Sequence, residues 1–151
     1  MQIEFLKVKE ASGYTIHSAL TVITLMTAEA KIDRECLWVL HLNAANRIIE
    51  KELVSVGSVN SAIIHPREVF KKAILNGATG IITIHNHPSG QVQPSKEDRA
   101  MWERLDDAGK ILGIPVLDHL IITPSGRWYS RKEGEQKGRK EDRNGKECEE
   151  D

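Results

Sequence analysis

The sequence is poor in the features that mark several common classes of protein. It has 151 residues, of which only two are cysteines and 5% are aromatic. Two cysteines do not favour a disulfide framework or a cysteine-based zinc finger. Cys36 lies in an apolar run and Cys148 in a charged segment. We therefore expect two reduced thiols, the first buried and the second exposed.

Long apolar runs and an excess of one charge are also absent. No apolar run approaches the roughly 18 residues of a membrane-spanning helix, and the first ten residues, MQIEFLKVKE, lack the apolar core of a signal peptide. The formal net charge is −1, so the chain has no overall basic footprint for nucleic acid. These absences predict a cytoplasmic protein with no membrane segment and no direct nucleic-acid binding.

The hydrophobic fraction is 40%, which is enough for one domain with a real core. The composition changes near residue 130. Residues 131–151 contain many charged side chains and no aliphatic or aromatic residue, so this segment has nothing to bury. We predict a single domain over residues 1–130, followed by a charged and disordered tail over 131–151.

Within the domain, strand-like segments alternate with helix-like segments. The predicted strands are residues 2–9, 36–42, 47–56, 79–85, 114–123 and 127–130, with a hairpin turn at 43–46. The predicted helices are residues 18–30 with Ser18 as the cap, 66–77 with Gly77 as the stop, and 95–113 with an apolar stripe of Trp102, Leu105, Ala108 and Leu112. This order predicts an α/β fold with a mixed β-sheet sandwiched by helices.

Two histidines stand where the strand at 79–85 runs into a polar loop, in the stretch IITIHNHPSGQVQPSKED. Residues i and i+2 of a strand face the same side, so His85 and His87 can point at one spot. Asp98 lies in the first turn of the next predicted helix, and the loop can fold back to bring its carboxylate there. Two histidines, one aspartate and a water would form a four-coordinate zinc site with an open position.

Other interpretations of these residues remain open on spacing alone. Ser95 and Asp98 match a helix capping box, which needs no metal. Two histidines and one carboxylate also suit non-haem iron. The letters His-Asn-His are not evidence for an HNH nuclease, because that name describes residues spread over a ββα unit. Cupins use His-x-His, but they lack the long helix expected here.

The spacing of His85, His87, Ser95 and Asp98 resembles the signature of the JAMM (MPN) metalloprotease domain. The flanking sequences NSAIIHPREVFKKAILNGATG and GIPVLDHLIIT resemble the C-terminal domain of the bacterial RadC family. The resemblance covers about residues 14–130. It implies the three-layer α/β architecture that JAMM proteins share with cytidine deaminases, and a zinc ion held by the two histidines and Asp98.

The resemblance also implies roles for other residues. Glu35 matches the upstream glutamate that serves as general base, with Glu29 and Glu50 as weaker candidates by position. Ser95 matches the serine that hydrogen-bonds the tetrahedral oxyanion. His119 matches the RadC pattern, and a structural role with satisfied hydrogen bonds is the expectation for it.

Two classes of function follow from the resemblance. The first is a zinc metallopeptidase that cleaves a peptide or isopeptide bond in an unknown protein or peptide. The second is a non-catalytic accessory or binding module of DNA repair that retains the metal site. RadC proteins usually carry an N-terminal helix-hairpin-helix region, which we do not expect here because this sequence starts almost directly with the predicted metal domain. This expectation and the neutral charge weaken the DNA role. The complete ligand set favours the enzyme.

Overall fold

The structure is a computed structural model that describes residues 14–59 and 62–136. The predicted strand at 2–9, Cys148 and the predicted disorder of residues 137–151 lie outside the described residues. Cys36 is buried and free, as predicted. In the described part of the chain, no helix is long and apolar enough to cross a membrane.

A six-stranded mixed sheet forms the centre of the fold. Its strands are β1 (Glu35–Leu42), β2 (Ile48–Gly57), β3 (Gly80–Asn86), β4 (Val116–Ile122), β5 (Trp128–Ser130) and β6 (Gly134–Gln136), in the spatial order β2-β1-β3-β4-β5-β6. The helices are α1 (Ala19–Leu25), α2 (Pro66–Leu75) and α3 (Lys96–Leu112), with a 3₁₀ turn at Glu29–Lys31. β3 pairs with β4 in parallel, and every other neighbouring pair is antiparallel. This confirms the predicted α/β class and the mixed sheet.

Helices cover both faces of the sheet, which gives three layers. Alternate residues of β3 serve two separate cores. Ile81 packs with the apolar faces of α2 and α3, whereas Ile82 and Ile84 pack with α1. All seven residues of β3 are buried, as expected for a central strand that is covered on both sides.

The two longer helices begin and end at residues that the sequence indicates. α2 starts with Pro66 in its first turn, and the chain leaves it through Gly77 at a φ of 65°. α3 is capped by Ser95 and ends at Gly113, which takes the left-handed conformation. The predicted stripe of α3 is wrong at Leu112, which is 46% exposed. Leu112 lies in the last turn, and Ile114 enters the core after the chain has reversed.

The predicted helix over residues 18–30 is too long. α1 ends at Leu25, and a separate 3₁₀ turn follows at Glu29–Lys31. The Thr24 hydroxyl donates to the Leu20 carbonyl, and the Thr27 hydroxyl donates to the Thr24 carbonyl. Such side-chain bonds compete with the helical ladder. Ser18 occupies the N-cap position, but its side chain makes no capping hydrogen bond.

β6 lies beyond the predicted domain boundary at residue 130 and extends the sheet there. β6 pairs with β5 through a tight turn that ends at Gly134, where φ is 81°. The buried carboxylate of Asp118 accepts hydrogen bonds from the Ser130 hydroxyl and the Lys132 amide, and Ser130 Oγ accepts one from the Glu133 amide. Polar contacts therefore hold the turn that leads into β6, although β6 itself has no apolar side chain.

We expect Gly109→Ala to destabilise the protein, against the usual effect of this change in a helix. Alanine normally stabilises a helix interior by about 1 kcal/mol relative to glycine. At Gly109, however, a Cβ atom would lie 2.6 Å from the Ile114 carbonyl oxygen and 3.3 Å from the Phe70 ring. Overpacking of this kind costs about 1–3 kcal/mol. Urea unfolding should show a lower midpoint for Gly109→Ala, and exposed Glu103→Ala on the same helix should change it little. An increased midpoint for Gly109→Ala would contradict the close contact.

Candidate metal centre

The candidate site lies at the carboxyl end of the central strand β3. His85 pairs with Leu37 of β1 on one side and with Ile121 of β4 on the other. His87 follows directly after the strand, and its amide donates to the Ile122 carbonyl. The exposed fractions of His85 and His87 are 2% and 9%, so both rings are held inside the protein. The i, i+2 spacing brings them together as predicted, with their ring centroids 4.6 Å apart.

Asp98 completes a cluster of three potential metal ligands. One side-chain ligand atom from each of His85, His87 and Asp98 can be chosen so that all three lie within 4.8 Å of one another. His85 Nδ1 is 3.4 Å from Asp98 Oδ1, and His87 Nε2 is 3.3 Å from Asp98 Oδ2. Zinc bonds of about 2.0–2.1 Å give tetrahedral ligand-to-ligand distances of about 3.3–3.4 Å. Each histidine lies at about this distance from a different oxygen of Asp98, and the three side chains are close enough to share one small ion.

The hydrogen bonding of the histidines also fits a metal ligand role. Among the described residues, neither ring nitrogen of the buried His85 makes a hydrogen bond of good geometry, and its nearest polar contact is that of Nδ1 with Asp98 Oδ1 at 3.4 Å. Such orphaned polar atoms are costly unless something else binds them. His87 Nδ1 lies 2.6 Å from the Gln91 carbonyl oxygen, so Nδ1–H donates to it and the lone pair remains on Nε2. A backbone carbonyl commonly orients a metal-binding histidine in this way.

Ser95 and Asp98 form the capping box that the sequence indicates. The Asp98 amide donates to Ser95 Oγ over 3.0 Å, and the Ser95 amide donates to Asp98 Oδ2 over 2.9 Å. Capping and metal binding are therefore not alternatives, because the cap fixes the carboxylate that faces the histidines. Ser95 Oγ accepts in this cap, so its own proton remains free to donate from an exposed position.

The charges in the cluster stabilise one another. Burial alone would raise the pKa of Asp98, but its contacts with the His85 and His87 imidazoles and with the Ser95 amide lower that pKa well below its usual range. Burial alone would lower the pKa of His87, but the contacts with Asp98 and the Gln91 carbonyl raise it. The site therefore favours a carboxylate anion beside a positive charge, which can be a proton or a metal ion.

Glu35 lies next to this cluster but is not one of its three potential ligands. As the first residue of β1, it shares a sheet face with Leu37, the partner of His85. Glu35 Oε2 is 3.9 Å from His85 Nε2 and accepts a hydrogen bond of 3.4 Å from the Val59 amide. Its side chain is 42% exposed, so solvent reaches the carboxylate. This position suits a proton acceptor next to the ligands.

The two weaker glutamate candidates are placed elsewhere. Glu29 is partly buried and paired with Lys51. Glu50 contacts Asn76 and Lys72, and in the sheet it pairs with His41 near the opposite end of β1. Of the three glutamates considered, Glu35 is the one whose carboxylate lies next to a histidine of the cluster, 3.9 Å from His85 Nε2.

Sequence reasoning missed Asn86, the residue between the two histidines. Its side chain is fully buried on the α1 face of the sheet and binds three backbone groups. Its Oδ1 accepts from the Cys36 amide over 2.6 Å, and its Nδ2 donates to the Ile32 and Arg34 carbonyls over 3.2 and 2.9 Å. An asparagine at the end of a central strand, where this residue type is uncommon, is the sequence signal that could have indicated this role.

His119 is a satisfied structural histidine, as predicted. Its Nε2 donates to Asp106 Oδ1 of α3 over 2.9 Å, and its Nδ1 accepts from the Thr83 hydroxyl. The ring stacks on Trp102 with a centroid distance of 5.1 Å. These contacts hold α3 against the sheet at a second point, eight residues beyond Asp98 in the chain.

We expect His119 to make the stability of the protein pH-dependent. Burial lowers the pKa of His119, and the neighbouring Arg131 adds to this, against the opposing effect of Asp106. The unfolded chain takes up a proton near pH 6.5 while the folded chain keeps the ring neutral. Stability is therefore lost as pH falls below about 6.5, by up to about 1.4 kcal/mol per pH unit.

Urea unfolding of the wild type and His119→Gln at pH 7.5 and 5.5 checks this dependence. The difference in unfolding free energy between the two proteins should shrink at pH 5.5, because glutamine does not titrate. Other histidines contribute equally to both proteins and cancel. An unchanged difference would show that His119 is protonated in the folded state as readily as in the unfolded chain.

The comparisons with known proteins agree with this geometry. The family model of the RadC-like JAB domain matches residues 16–137. A UPF0758 protein of Methanococcoides burtonii is 48% identical over 119 residues, which cover 78% of this chain and 52% of that protein. A UPF0758 protein of Caldanaerobacter subterraneus subsp. tengcongensis is 47% identical over 125 residues, which cover 82% of this chain and 53% of that protein.

A UPF0758 protein of Finegoldia magna is 50% identical over 100 residues, which cover 66% of this chain and 45% of that protein. The chain spans about half the length of these curated relatives. The family match covers most of the chain and includes every residue of the cluster. The chain therefore belongs to the RadC family of JAB-domain proteins.

Proposed function

We propose that this protein is a zinc-dependent metallohydrolase that cleaves a peptide or isopeptide amide bond. The observation that carries the proposal is the buried cluster of His85, His87 and Asp98, in which neither ring nitrogen of His85 makes a hydrogen bond of good geometry among the described residues. A buried, hydrogen-bonded carboxylate between two imidazoles, with an acid beside it at the surface, is an arrangement that metal-assisted hydrolysis needs.

His85, His87 and Asp98 would hold the ion. Zinc bound there would lower the pKa of a coordinated water towards about 7 and would polarise the scissile carbonyl. The Gln91 carbonyl keeps the His87 lone pair on Nε2, and the capping box holds Asp98 in place. These contacts prepare the ligands before the ion arrives, which reduces the cost of binding it.

Glu35 and Ser95 would carry out the remaining chemistry. The Glu35 carboxylate would take a proton from the attacking water and pass it to the leaving amine. Its exposed edge position next to His85 supports this, since it can reach both the water and the substrate. The Ser95 hydroxyl would donate a hydrogen bond to the oxyanion that forms when the carbonyl carbon is attacked. One such donor contributes roughly 10²–10³ in rate.

The chemistry of the site favours an amide in an extended and accessible segment of a protein or peptide. Glu35 and Ser95 are both open to solvent at the rim, while the metal ligands are buried beneath them. A folded substrate would therefore have to present its scissile bond on a loop or a tail.

Metal analysis together with a cleavage assay tests the proposal. The full chain is purified, stripped with a chelator, reloaded with zinc and incubated with a peptide and isopeptide library. We expect about one zinc per chain and cleavage that requires the metal. If the protein binds zinc but cleaves nothing, the result favours a binding module of the same family. If the protein binds no zinc, neither the hydrolase nor the metal-binding module is supported.

A further inference from the structure

Asn86 connects the strand of the two histidines to the backbone that carries Glu35. The β1–β3 ladder is paired from Leu42 and Gly80 to Leu37 and His85. One residue further along, the Asn86 side chain replaces the backbone pairing, because its Oδ1 accepts a hydrogen bond of 2.6 Å from the Cys36 amide. The side-chain amide thus continues the connection between the two strands at the edge of the site.

The other end of the same amide group fixes the chain that leads into β1. Asn86 Nδ2 donates to the Arg34 carbonyl over 2.9 Å and to the Ile32 carbonyl over 3.2 Å. Asn86 therefore holds the backbone on both sides of Glu35, through the carbonyl of the preceding residue and the amide of the following one. Its exposed fraction is 0%, so no water competes for these bonds.

Asn86 acts from the opposite face of the sheet. Alternation along β3 places His85 on the α2 and α3 face and Asn86 on the α1 face, where Cys36 also lies. Glu35 is on the same face as His85, and its carboxylate stands 3.9 Å from the ring. Asn86 can therefore fix the position of Glu35 without occupying any space in the site.

We propose that Asn86 is a positioning residue for Glu35, which it holds at the metal centre through the Cys36 amide and the Arg34 and Ile32 carbonyls. This inference rests on the proposed function, in which Glu35 meets the water at the open coordination position. Within the described residues, the side chain of Glu35 accepts a single hydrogen bond, a long one of 3.4 Å from the Val59 amide. The backbone at residue 35 must therefore be fixed for the carboxylate to be fixed.

A spectroscopic test separates positioning from a purely structural role. The full chain is loaded with Co²⁺, whose visible absorption bands respond to the ligands of the ion and to groups that contact its open position. The wild type is compared with Glu35→Gln, Asn86→Ala and the double variant, and Asp98→Asn is added as the reference for loss of affinity. Co²⁺ affinity and melting temperature are measured on the same samples.

We expect Glu35→Gln to shift the Co²⁺ bands and Asn86→Ala to shift them in the same direction. The double variant should give the spectrum of Glu35→Gln alone, because a displaced side chain has no further contact to lose. Co²⁺ affinity should fall less in Asn86→Ala than in Asp98→Asn, since Asn86 hydrogen-bonds no ligand side chain.

Asn43→Ala is the matched control, because the Asn43 side chain also binds backbone groups, but at the other end of β1. Its Oδ1 accepts from the Ala45 and Arg47 amides, each over 3.0 Å. Asn43→Ala should lower the melting temperature and leave the Co²⁺ spectrum unchanged. Asn86→Ser, whose hydroxyl can still meet one partner, is the second variant in case Asn86→Ala does not fold.

Each other outcome counts against a defined part of the argument. A wild type that binds no Co²⁺ contradicts the proposed function itself. If the Co²⁺ bands do not respond to Glu35→Gln, Glu35 does not contact the open position. Asn86 then has no positioning role at the metal centre. A wild-type spectrum for Asn86→Ala, or a double variant in which the two shifts add, contradicts the positioning role alone. If neither Asn86 variant folds, Asn86 is a structural residue and the inference fails.

Discussion

His87→Ala is expected to abolish zinc binding at micromolar zinc, where the wild type holds about one ion per chain. The variant keeps only His85 and Asp98 from the cluster. Loss of a contact that merely orients a ligand lowers metal affinity about 10–100-fold, and loss of a ligand should lower it further. Elemental analysis after dialysis against micromolar zinc, followed by competition with a chelator, measures the effect.

Exposed His17→Ala is the matched control for this prediction. His17 precedes α1 and belongs to no ligand group in the described part of the chain. This variant should therefore keep about one zinc per chain, which also shows that removal of a histidine as such has no effect. Full zinc content in His87→Ala would show that the ion is held elsewhere, and the assignment of all three ligands would have to be changed.

The ligand cluster was predictable because each part of it depends on short-range geometry. The i, i+2 spacing on a strand decides that His85 and His87 face the same side. A Ser-x-x-Asp cap decides where α3 begins, and this puts Asp98 in the first turn of the helix that follows the loop. These rules need no knowledge of distant contacts. The structure accordingly brings the three side chains together as predicted.

The features that were missed depend on contacts between distant parts of the chain. Asn86 binds Ile32 and Arg34, which are more than fifty residues earlier in the sequence. β6 follows a turn that is held by Asp118 through the Lys132 amide. In both cases a buried polar side chain replaces apolar burial as the stabilising contact. Composition and periodicity count apolar side chains, so neither contact could be predicted from them.

The early end of α1 has a different cause. The apolar spacing of residues 18–30 suits a helix, but the hydroxyls of Thr24 and Thr27 bind carbonyls of the same turns. Whether a threonine bonds in this way depends on its rotamer, which tertiary packing selects. The pattern therefore predicts the existence of the helix more reliably than its length.

Glu35→Gln is expected to separate the chemistry from the metal. Glutamine keeps the shape of the side chain but cannot accept a proton from water at neutral pH. Because Glu35 lies outside the ligand cluster, zinc content should be unchanged. The rate of hydrolysis should fall by at least roughly 10², the lower end for general acid–base catalysis. Steady-state assays with a cleaved library peptide, normalised to bound zinc, measure this.

Asp98→Asn is compared with Glu35→Gln because it removes a metal ligand and not the general base. An amide is a poor zinc ligand, and it also loses the charge that the two imidazoles stabilise. Zinc affinity and rate should therefore fall together in Asp98→Asn, whereas only the rate falls in Glu35→Gln. If Glu35→Gln retains the wild-type rate, the base is another group. If Glu35→Gln loses the zinc, Glu35 is a fourth ligand, and the open position that hydrolysis requires is already filled by the protein.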